Sequence, residues 1–219
     1  MKWFYKAHHT NNNKTKHKKK KKKKKKKERK GKYMENFDLL MLSKILETPK
    51  ICIFSDEAWS DIETVMVSLN LIHCSGSEDL GKVLVVSDRE WWDIDHVGIE
   101  CVGRRKVPKL SVDSTYDVVV VDGVPGRKSK SFGILSKLCK KARRVIVIDD
   151  VPKSEDLWGR IFLIDDGYRL GTTIDEYRSR YFQPLEVGPS GDVWKWGLVR
   201  GARPWLYEKI KDVCFKKVG

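Results

Sequence analysis

The sequence predicts an α/β protein with an open, mainly parallel sheet. Three apolar runs carry this prediction, and each ends at or beside a carboxylate: residues 81–88 (GKVLVVSD), 116–123 (YDVVVVDG) and 143–150 (RRVIVIDD). Runs that are apolar on both faces are typical of central parallel strands covered by helices. Between the last two runs, residues 129–142 show the apolar spacing of a helix, so strand, helix and strand form a βαβ unit.

The elements before this unit follow the same alternation. Residues 35–47 place apolar side chains at helical spacing, and residues 50–54 (KICIF) have the β-branched and aromatic bias of a strand. A helix is predicted next, and a further short strand at residues 98–102. The apolar face of the helix after KICIF consists of Ile62, Val65, Met66 and Leu69.

The C-terminal part is predicted to be a helical extension from about residue 152. Apolar residues of 157–164 lie at helical spacing, and Thr172 or Thr173 caps a second helix that ends before Pro184. Residues 202–217 are predicted to form a last helix with a proline in its first turn. Four late aromatic residues are predicted to form a satellite core rather than an exposed partner surface: Trp194, Trp196, Trp205 and Tyr207.

The charge is concentrated at the N-terminus. The 219 residues have a formal net charge of +15, but residues 1–32 hold 17 of the 45 basic side chains and one of the 30 acidic ones. The rest therefore carries 28 basic and 29 acidic side chains, without the overall basic charge that marks many nucleic-acid-binding folds. Ten consecutive lysines, 18–27, repel one another and bury nothing, which predicts a disordered tail over residues 1–33.

A second interpretation places this tail upstream of the true start. An A-rich coding stretch spells lysine and asparagine, and residues 28–34 (ERKGKYM) can be encoded by a purine-rich ribosome-binding signal just ahead of Met34. A single domain would then cover residues 34–219. If the tail is translated, we expect it to bind polyanions loosely and in a salt-sensitive way. A native protein whose intact mass retains residues 1–33 would contradict the later start.

The composition indicates a cytoplasmic protein. The five cysteines are widely spaced, without the spacing of a metal knuckle, and most lie in apolar runs, which predicts buried free thiols in a reducing compartment. No apolar run has the length of a membrane span, and the N-terminus lacks the apolar core of a signal peptide. We therefore expect no membrane partner.

Acidic residues gather at the predicted carboxyl edge of the sheet. Ligands of open α/β sheets bind beyond this edge. Strand-ending aspartates also cap the following helix, and capping alone explains each of them about equally well. The acids in question are Asp56, Asp88, Asp122, Asp149 and Asp150.

One C-terminal stretch resembles a known family. Residues 155–184 (EDLWGRIFLIDDGYRLGTTIDEYRSRYFQP) are similar to the segment after motif III in the first lobe of Swi/Snf-type superfamily-two helicases, closest in style to compact bacteriophage members. Upstream, residues 48–69, 83–91, 116–132 and 143–158 fall where that family has its phosphate loop and motifs Ia, II and III. The matching residues are Asp156, Leu157, Trp158, Asp165, Gly167, Arg169, Leu170, Gly171, Thr173, Arg178, Arg180, Tyr181 and Phe182.

The resemblance implies a P-loop NTPase-like (RecA-like) lobe with helices on both faces of its sheet, but the chain departs from the family where the chemistry lies. Intact relatives bind ATP and Mg²⁺ through a glycine-rich loop and its lysine, and Asp61 stands where that lysine belongs. Gly123 replaces the motif II glutamate that activates water, although Asp122 is retained. We expect no functional catalytic residue and no cofactor. The degenerate nucleotide site would comprise Asp56, Asp61, Asp122 and Asp150.

Three functions are compatible with these observations. The first is a catalytically silent, phage-encoded lobe in the host cytoplasm that binds DNA or RNA, or a protein such as a second helicase lobe. The second is a subunit of a split DNA-dependent ATPase whose second lobe comes from another chain, because these motors form their ATP site between two lobes. The third is nonspecific nucleic-acid binding by the lysine tail. The first would use Arg89, Arg104, Arg105 and Lys106, with a solvated loop as the plainer interpretation, while Trp91 and Trp92 are predicted to pack in the core rather than stack on bases.

Overall fold

Eight strands are present in the part of the chain that the computed structural model describes, which comprises residues 43–56, 61–66, 69, 81–88, 98–150 and 154–216. The predicted tail, the start at Met34 and residues Arg89, Trp91 and Trp92 lie outside these residues and stay predictions. The strands are β1 (Lys50–Phe54), β2 (Val83–Val86), β3 (Ile99–Val102), β4 (Val118–Asp122), β5 (Arg144–Asp149), β6 (Phe182–Val187), β7 (Val193–Leu198) and β8 (Cys214–Lys216).

Six of these strands form one parallel sheet in the order β3-β2-β4-β5-β1-β8. The central strands β2 and β4 are buried along their whole length, as their uninterrupted apolar runs predict. The predicted mainly parallel α/β sheet is therefore confirmed, and its carboxyl edge brings the ends of β4 and β5 side by side.

The described residues also form helices that flank the sheet. Helical stretches at 43–47 and 61–66 precede the longer helices, and a short 3-10 turn, Val107–Lys109, follows β3. Ser129 caps the helix after β4, since its Oγ accepts a hydrogen bond from the Phe132 backbone N–H at 3.1 Å. The longer helices are α1 (Lys130–Lys141), α2 (Leu157–Asp165), α3 (Ile174–Tyr181) and α4 (Ala202–Ile210).

Helices α1 and α2 pack together through aromatic rings. Phe132, Leu135, Leu138 and Cys139 of α1 are buried, as their spacing predicts. The Trp158 ring of α2 lies with its centroid 6.0 Å from that of Phe132. The contact fixes the start of α2 beside the loop between β4 and α1, which is where the cavity described below lies.

The predicted helical extension also contains strands that the sequence interpretation missed. Strands β6 and β7 form an antiparallel hairpin, and Pro184, predicted to follow a helix, lies within β6. The last predicted helix ends at Ile210, and β8 joins the main sheet beside β1. Helical spacing continues past Ile210 in the sequence, but pairing with the edge of β1 overrides it.

The predicted satellite core is wrong for three of its four aromatic residues. Trp194, Trp205 and Tyr207 are 68%, 71% and 56% exposed. Trp194 lies in a two-stranded hairpin that has little to pack against, and Trp205 and Tyr207 lie on α4, which buries Ala202, Leu206 and Ile210 instead. Trp196 is partly buried and lies under the guanidinium of Arg178, whose Cζ is 5.2 Å from the ring centroid.

The four described cysteines are free thiols. Cys52 and Cys139 are buried as expected, and burial raises the pKa of the Cys139 thiol to about 12. Cys101 is exposed, because it lies on the edge strand β3, so the prediction of burial is wrong there. Across the described ranges, no helix is long and apolar enough to cross a membrane. Within the same residues, no group of three or more His, Cys, Asp or Glu side chains could hold a metal ion.

Candidate functional site

The retained motif II acid is engaged inside the protein. Asp122 ends β4 and is only 9% exposed, and its Oδ2 accepts a hydrogen bond from Ser87 Oγ at 2.7 Å. Ser87 follows β2, so the bond joins the ends of two neighbouring strands. The Asp122 carboxylate therefore forms part of the carboxyl edge of the sheet.

The backbone conformation after Asp122 disfavours a side chain at the next residue. Gly123 has a φ of +77°, a backbone conformation that L-residues rarely adopt. A Cβ at this position would lie 2.9 Å from Nη1 of Arg104. The motif II glutamate of the family would therefore need both a different backbone conformation and a displaced arginine.

Asp149 is the motif III acid that makes contacts, whereas Asp150 is exposed. Asp149 Oδ2 pairs with Nη2 of Arg160 at 2.7 Å, and both side chains are largely buried, at 14% and 12% exposure. The carboxylate also accepts backbone N–H bonds from Val124, at 3.3 Å, and Asp150, at 2.8 Å. The acid thereby ties α2 to the loop after β4.

The other two predicted acids lie in different environments. Asp61 is 1% exposed within the helical residues 61–66, and Asp56 is exposed in the turn after β1. None of Asp56, Asp61, Asp122 and Asp150 lines the cavity described next, whose acids are Asp149 and Asp156.

A cavity of about 580 Å³ lies beside this edge and is rich in cationic groups. Its walls are the loop 123–129, the start of α2 at residues 156–160, Asp149 and the side chain of Arg104. We call this space the basic cavity. The charged side chains that line it are Arg104, Arg127, Lys128, Asp149, Asp156 and Arg160.

Ion pairs hold the arginine heads of the basic cavity in place. Arg104 donates from Nε to Asp88 Oδ2 at 2.7 Å and pairs through Nη2 at 2.6 Å. Arg127 donates from Nη1 to the Glu155 carbonyl at 3.3 Å and from Nη2 to its carboxylate at 3.4 Å. Such bidentate pairs fix guanidinium orientation.

Two of the sequence-predicted nucleic-acid contacts lie next to the basic cavity without lining it. Arg105 and Lys106 are exposed on the loop after β3, and Arg104 of the same loop reaches the basic cavity. Ser131 Oγ of α1 donates to the Arg104 carbonyl at 3.2 Å, which holds this loop against α1.

Sequence reasoning missed three cations of the basic cavity: Arg127, Lys128 and Arg160. The signal for the first two was the sequence GVPGRKS, a short glycine-containing basic loop just before a helix N-terminus. Arg160 had no such signal, because it lies among the apolar residues of α2.

Most of the family-matching residues between Asp156 and Phe182 have structural roles. Trp158 Nε1 donates to the Gly171 carbonyl at 2.8 Å, and Gly171 has a φ of +104°. Arg169 bridges Asp165, at 3.0 Å, and Asp212, at 2.5 Å, joining the α2–α3 turn to the end of α4. Two further members of the stretch, Arg178 and Arg180, pair with Glu155 and Glu176, and Asp156 lines the basic cavity.

Glu155 links the basic cavity to the β6–β7 hairpin. Its carboxylate accepts hydrogen bonds from Arg127 and from Arg178, which lies over the Trp196 ring. Burial alone would raise the pKa of Glu155, but the hydrogen bonds and charges of Arg178 and Arg127 together outweigh it, so the pKa lies below its ordinary value of 4.5.

We predict that Glu155→Gln lowers the free energy of unfolding by about 1 kcal/mol at pH 7. Because the pKa of the folded state is depressed, the stabilisation is fully present above about pH 4.5 and is lost as the pH falls through the folded value. Urea unfolding of both proteins from pH 7 to pH 3 should show their difference shrinking below pH 4.5. Glu186→Gln is the control, because Glu186 forms a solvent-exposed ion pair with Lys195, with 3.1 Å between Oε1 and Nζ. A difference between wild type and Glu155→Gln that is constant with pH would contradict the role assigned to this carboxylate.

The six-stranded parallel sheet with its helices is a RecA-like fold, which the comparison with solved structures confirms. The chain is similar to the Sulfolobus solfataricus SWI2/SNF2 ATPase core domain, with a TM-score of 0.60, 15% identity and 85% of this chain covered. It is equally similar to the Sulfolobus solfataricus SWI2/SNF2 ATPase core in complex with dsDNA, with a TM-score of 0.61, 15% identity and 84% coverage.

The chain spans less than half of these structures, namely 42% and 43% of their lengths. At 15% identity the likeness concerns the fold, which agrees with the fold that the resemblance implies. No protein-family model matches the chain, and no curated protein does.

Proposed function

We propose that this chain is a helicase-like lobe that binds nucleic acid and does not hydrolyse ATP. The observation that carries the proposal is Gly123, which stands where the family has its water-activating glutamate, in a conformation that strains any other residue and with Arg104 against it. The missing catalytic glutamate and the guanidinium of Arg104 thus fall at the same position. Phage origin and the absence of a nucleotide cofactor belong to the same proposal.

The contacts around Gly123 support a silent nucleotide site. Asp122 accepts a hydrogen bond from Ser87, and Asp149 is paired with Arg160, so both carboxylates already have partners within the protein. Asp61 is buried where the family keeps a lysine for the phosphates. An acid at that position repels triphosphate instead of neutralising its charge.

The cations beside the edge support nucleic-acid binding. Arg105 and Lys106 are exposed next to the basic cavity, and one of the similar structures holds dsDNA. Exposed cations that track a phosphate backbone supply most nonspecific affinity by releasing counterions. Double-stranded DNA is therefore the first ligand to test.

Binding of a fluorescent 20-base-pair duplex by the full chain tests the proposal through its salt dependence. The double variant Arg105→Gln/Lys106→Gln should lower the slope of log affinity against log salt by about 2, about one for each lost phosphate contact. Lys209→Gln/Lys211→Gln is the matched control, since both lysines lie at the end of α4 and the lysine tail is unchanged. Equal losses in the two double variants would assign binding to the tail or to net charge.

A phosphate-release assay with Mg-ATP tests the other half of the proposal. We expect no ATP hydrolysis by the folded chain, with or without the duplex. Hydrolysis by the chain, or by the chain after a separate second lobe is added, would instead support a subunit of a split ATPase.

A further inference from the structure

We propose that the basic cavity binds a phosphate group. The proposal deepens the function above and rests on it only where the phosphate belongs to a nucleic acid. The chemistry is the same for a free pyrophosphate or nucleotide phosphate, so the experiment below separates the two sources.

The donor groups of the walls favour an anion. The cations of the lining are Arg104, Arg127, Lys128 and Arg160, and its acids are Asp149 and Asp156. Asp149 pairs with Arg160, and Asp88 and Glu155 pair with Arg104 and Arg127 from outside the lining. The attraction for an anion therefore comes from Lys128 and from the N–H donors that these pairs leave open, and not from a large net charge. An apolar ligand would have to desolvate several charges.

The arginine heads keep donors for a ligand. Arg104 bonds Asp88 through Nε and Nη2, and its Nη1 lies on the side of Gly123, at the wall of the basic cavity. Arg160 also lines the basic cavity, and its pair with Asp149 through Nη2 holds the guanidinium there. A planar guanidinium presents several donors in one fork, which matches phosphate oxygens better than an ammonium does.

Backbone features around the basic cavity favour the same ligand. The N-terminus of α1, a helix of 12 residues, begins at its rim with Ser129 as the N-cap, and the partial positive charge of a helix start attracts anions. Gly126 and Gly159 leave space there, and a Cβ at Gly126 would meet no atom within 4 Å. A volume of about 580 Å³ accommodates a phosphate with an attached sugar.

The cations that would hold the phosphate are not those of a phosphate loop. They come from Arg104 after β3, from the loop 123–129 and from Arg160 of α2. The loss of the family's phosphate-loop lysine, where Asp61 stands, therefore leaves these donors unchanged.

A charge placed at the rim tests the proposal. Gly126→Glu adds a carboxylate in open space at an exposed position whose φ needs no glycine. Gly133→Glu is the matched control, because it makes the same change in open, exposed space within α1 and outside the lining. Circular dichroism confirms that both variants fold.

Calorimetry with inorganic pyrophosphate gives the first readout. We expect its affinity to fall by about tenfold in Gly126→Glu and by less than about twofold in Gly133→Glu, since an added like charge acts strongly only at short range. Asp156→Asn should raise the affinity, because it removes the exposed acid of the lining. No saturable pyrophosphate binding by the wild type, or equal effects of the two glutamates, would overturn the proposal.

The second readout is binding of the charged duplex, with a methylphosphonate duplex that lacks backbone charge for comparison. If Gly126→Glu weakens binding of the charged duplex as well, the phosphate is that of a nucleic acid. If it weakens pyrophosphate alone, the site takes a free phosphate compound. A wild type that binds pyrophosphate but no duplex would overturn the proposed function and leave the phosphate site standing.

Discussion

Replacing Trp158 with alanine is expected to lower the free energy of unfolding by about 3–5 kcal/mol. The indole is 6% exposed, packs between Phe132 and Phe162, and donates its N–H to the Gly171 carbonyl. The substitution removes the packing and leaves that carbonyl without its donor. Denaturant unfolding followed by circular dichroism measures the change without relying on tryptophan fluorescence.

Trp205→Ala is the matched control for this experiment. It removes the same side chain from α4, where 71% of the residue is exposed, and should cost about 0.5 kcal/mol or less. Similar losses in the two variants would mean that the contact between α1 and α2 does not hold the start of α2 in place.

Restoring the family's lysine by Asp61→Lys is expected to destabilise the fold by about 3 kcal/mol or more, and not to create an ATP site. Position 61 is 1% exposed, so the longer ammonium would be buried in surroundings adapted to a carboxylate. Denaturant unfolding measures the stability, and calorimetry with Mg-ATP measures binding.

Glutamate variants complete this test. Gly123→Glu should destabilise by about 1–3 kcal/mol, because it forces a side chain into a φ of +77° beside Arg104. Gly126→Glu, three residues on and in open space, should cost little. A stable Asp61→Lys protein that binds Mg-ATP more tightly than the wild type would show that the phosphate loop survives and would contradict the silent-lobe proposal.

The central strands could be predicted from the sequence because burial on both faces produces an uninterrupted apolar run. In β2 and β4 each residue contacts a covered face, so the apolar run has no polar interruption. The β6–β7 hairpin could not be predicted in this way. Its strand β6 reads FQPLEV and is mostly exposed, and the proline suggested the end of a helix. Strand β8 has three residues, and its state depends on a partner strand far away in the chain.

The basic cavity could be predicted only in part. Arg104 was found because it lies in a run of basic residues after a predicted strand. Asp122, which lies just before the loop that lines the cavity, was found because it ends a run of valines. The convergence of Arg127 and Arg160 on Arg104 depends on how α2 packs against the loop before α1. No local pattern encodes that arrangement, and the pair of Asp149 with Arg160 joins segments that periodicity treats separately.

The place of β8 in the sheet has a consequence for folding during synthesis. Strand β1 emerges early from the ribosome, but its neighbour on one side, β8, is made about 160 residues later. At about 5–20 residues per second, the far edge of β1 stays unpaired for roughly 10–30 seconds. An unpaired edge strand is a template for association with other chains. The order of strands thus leaves this edge of β1 open to association with other chains until the last described strand is made.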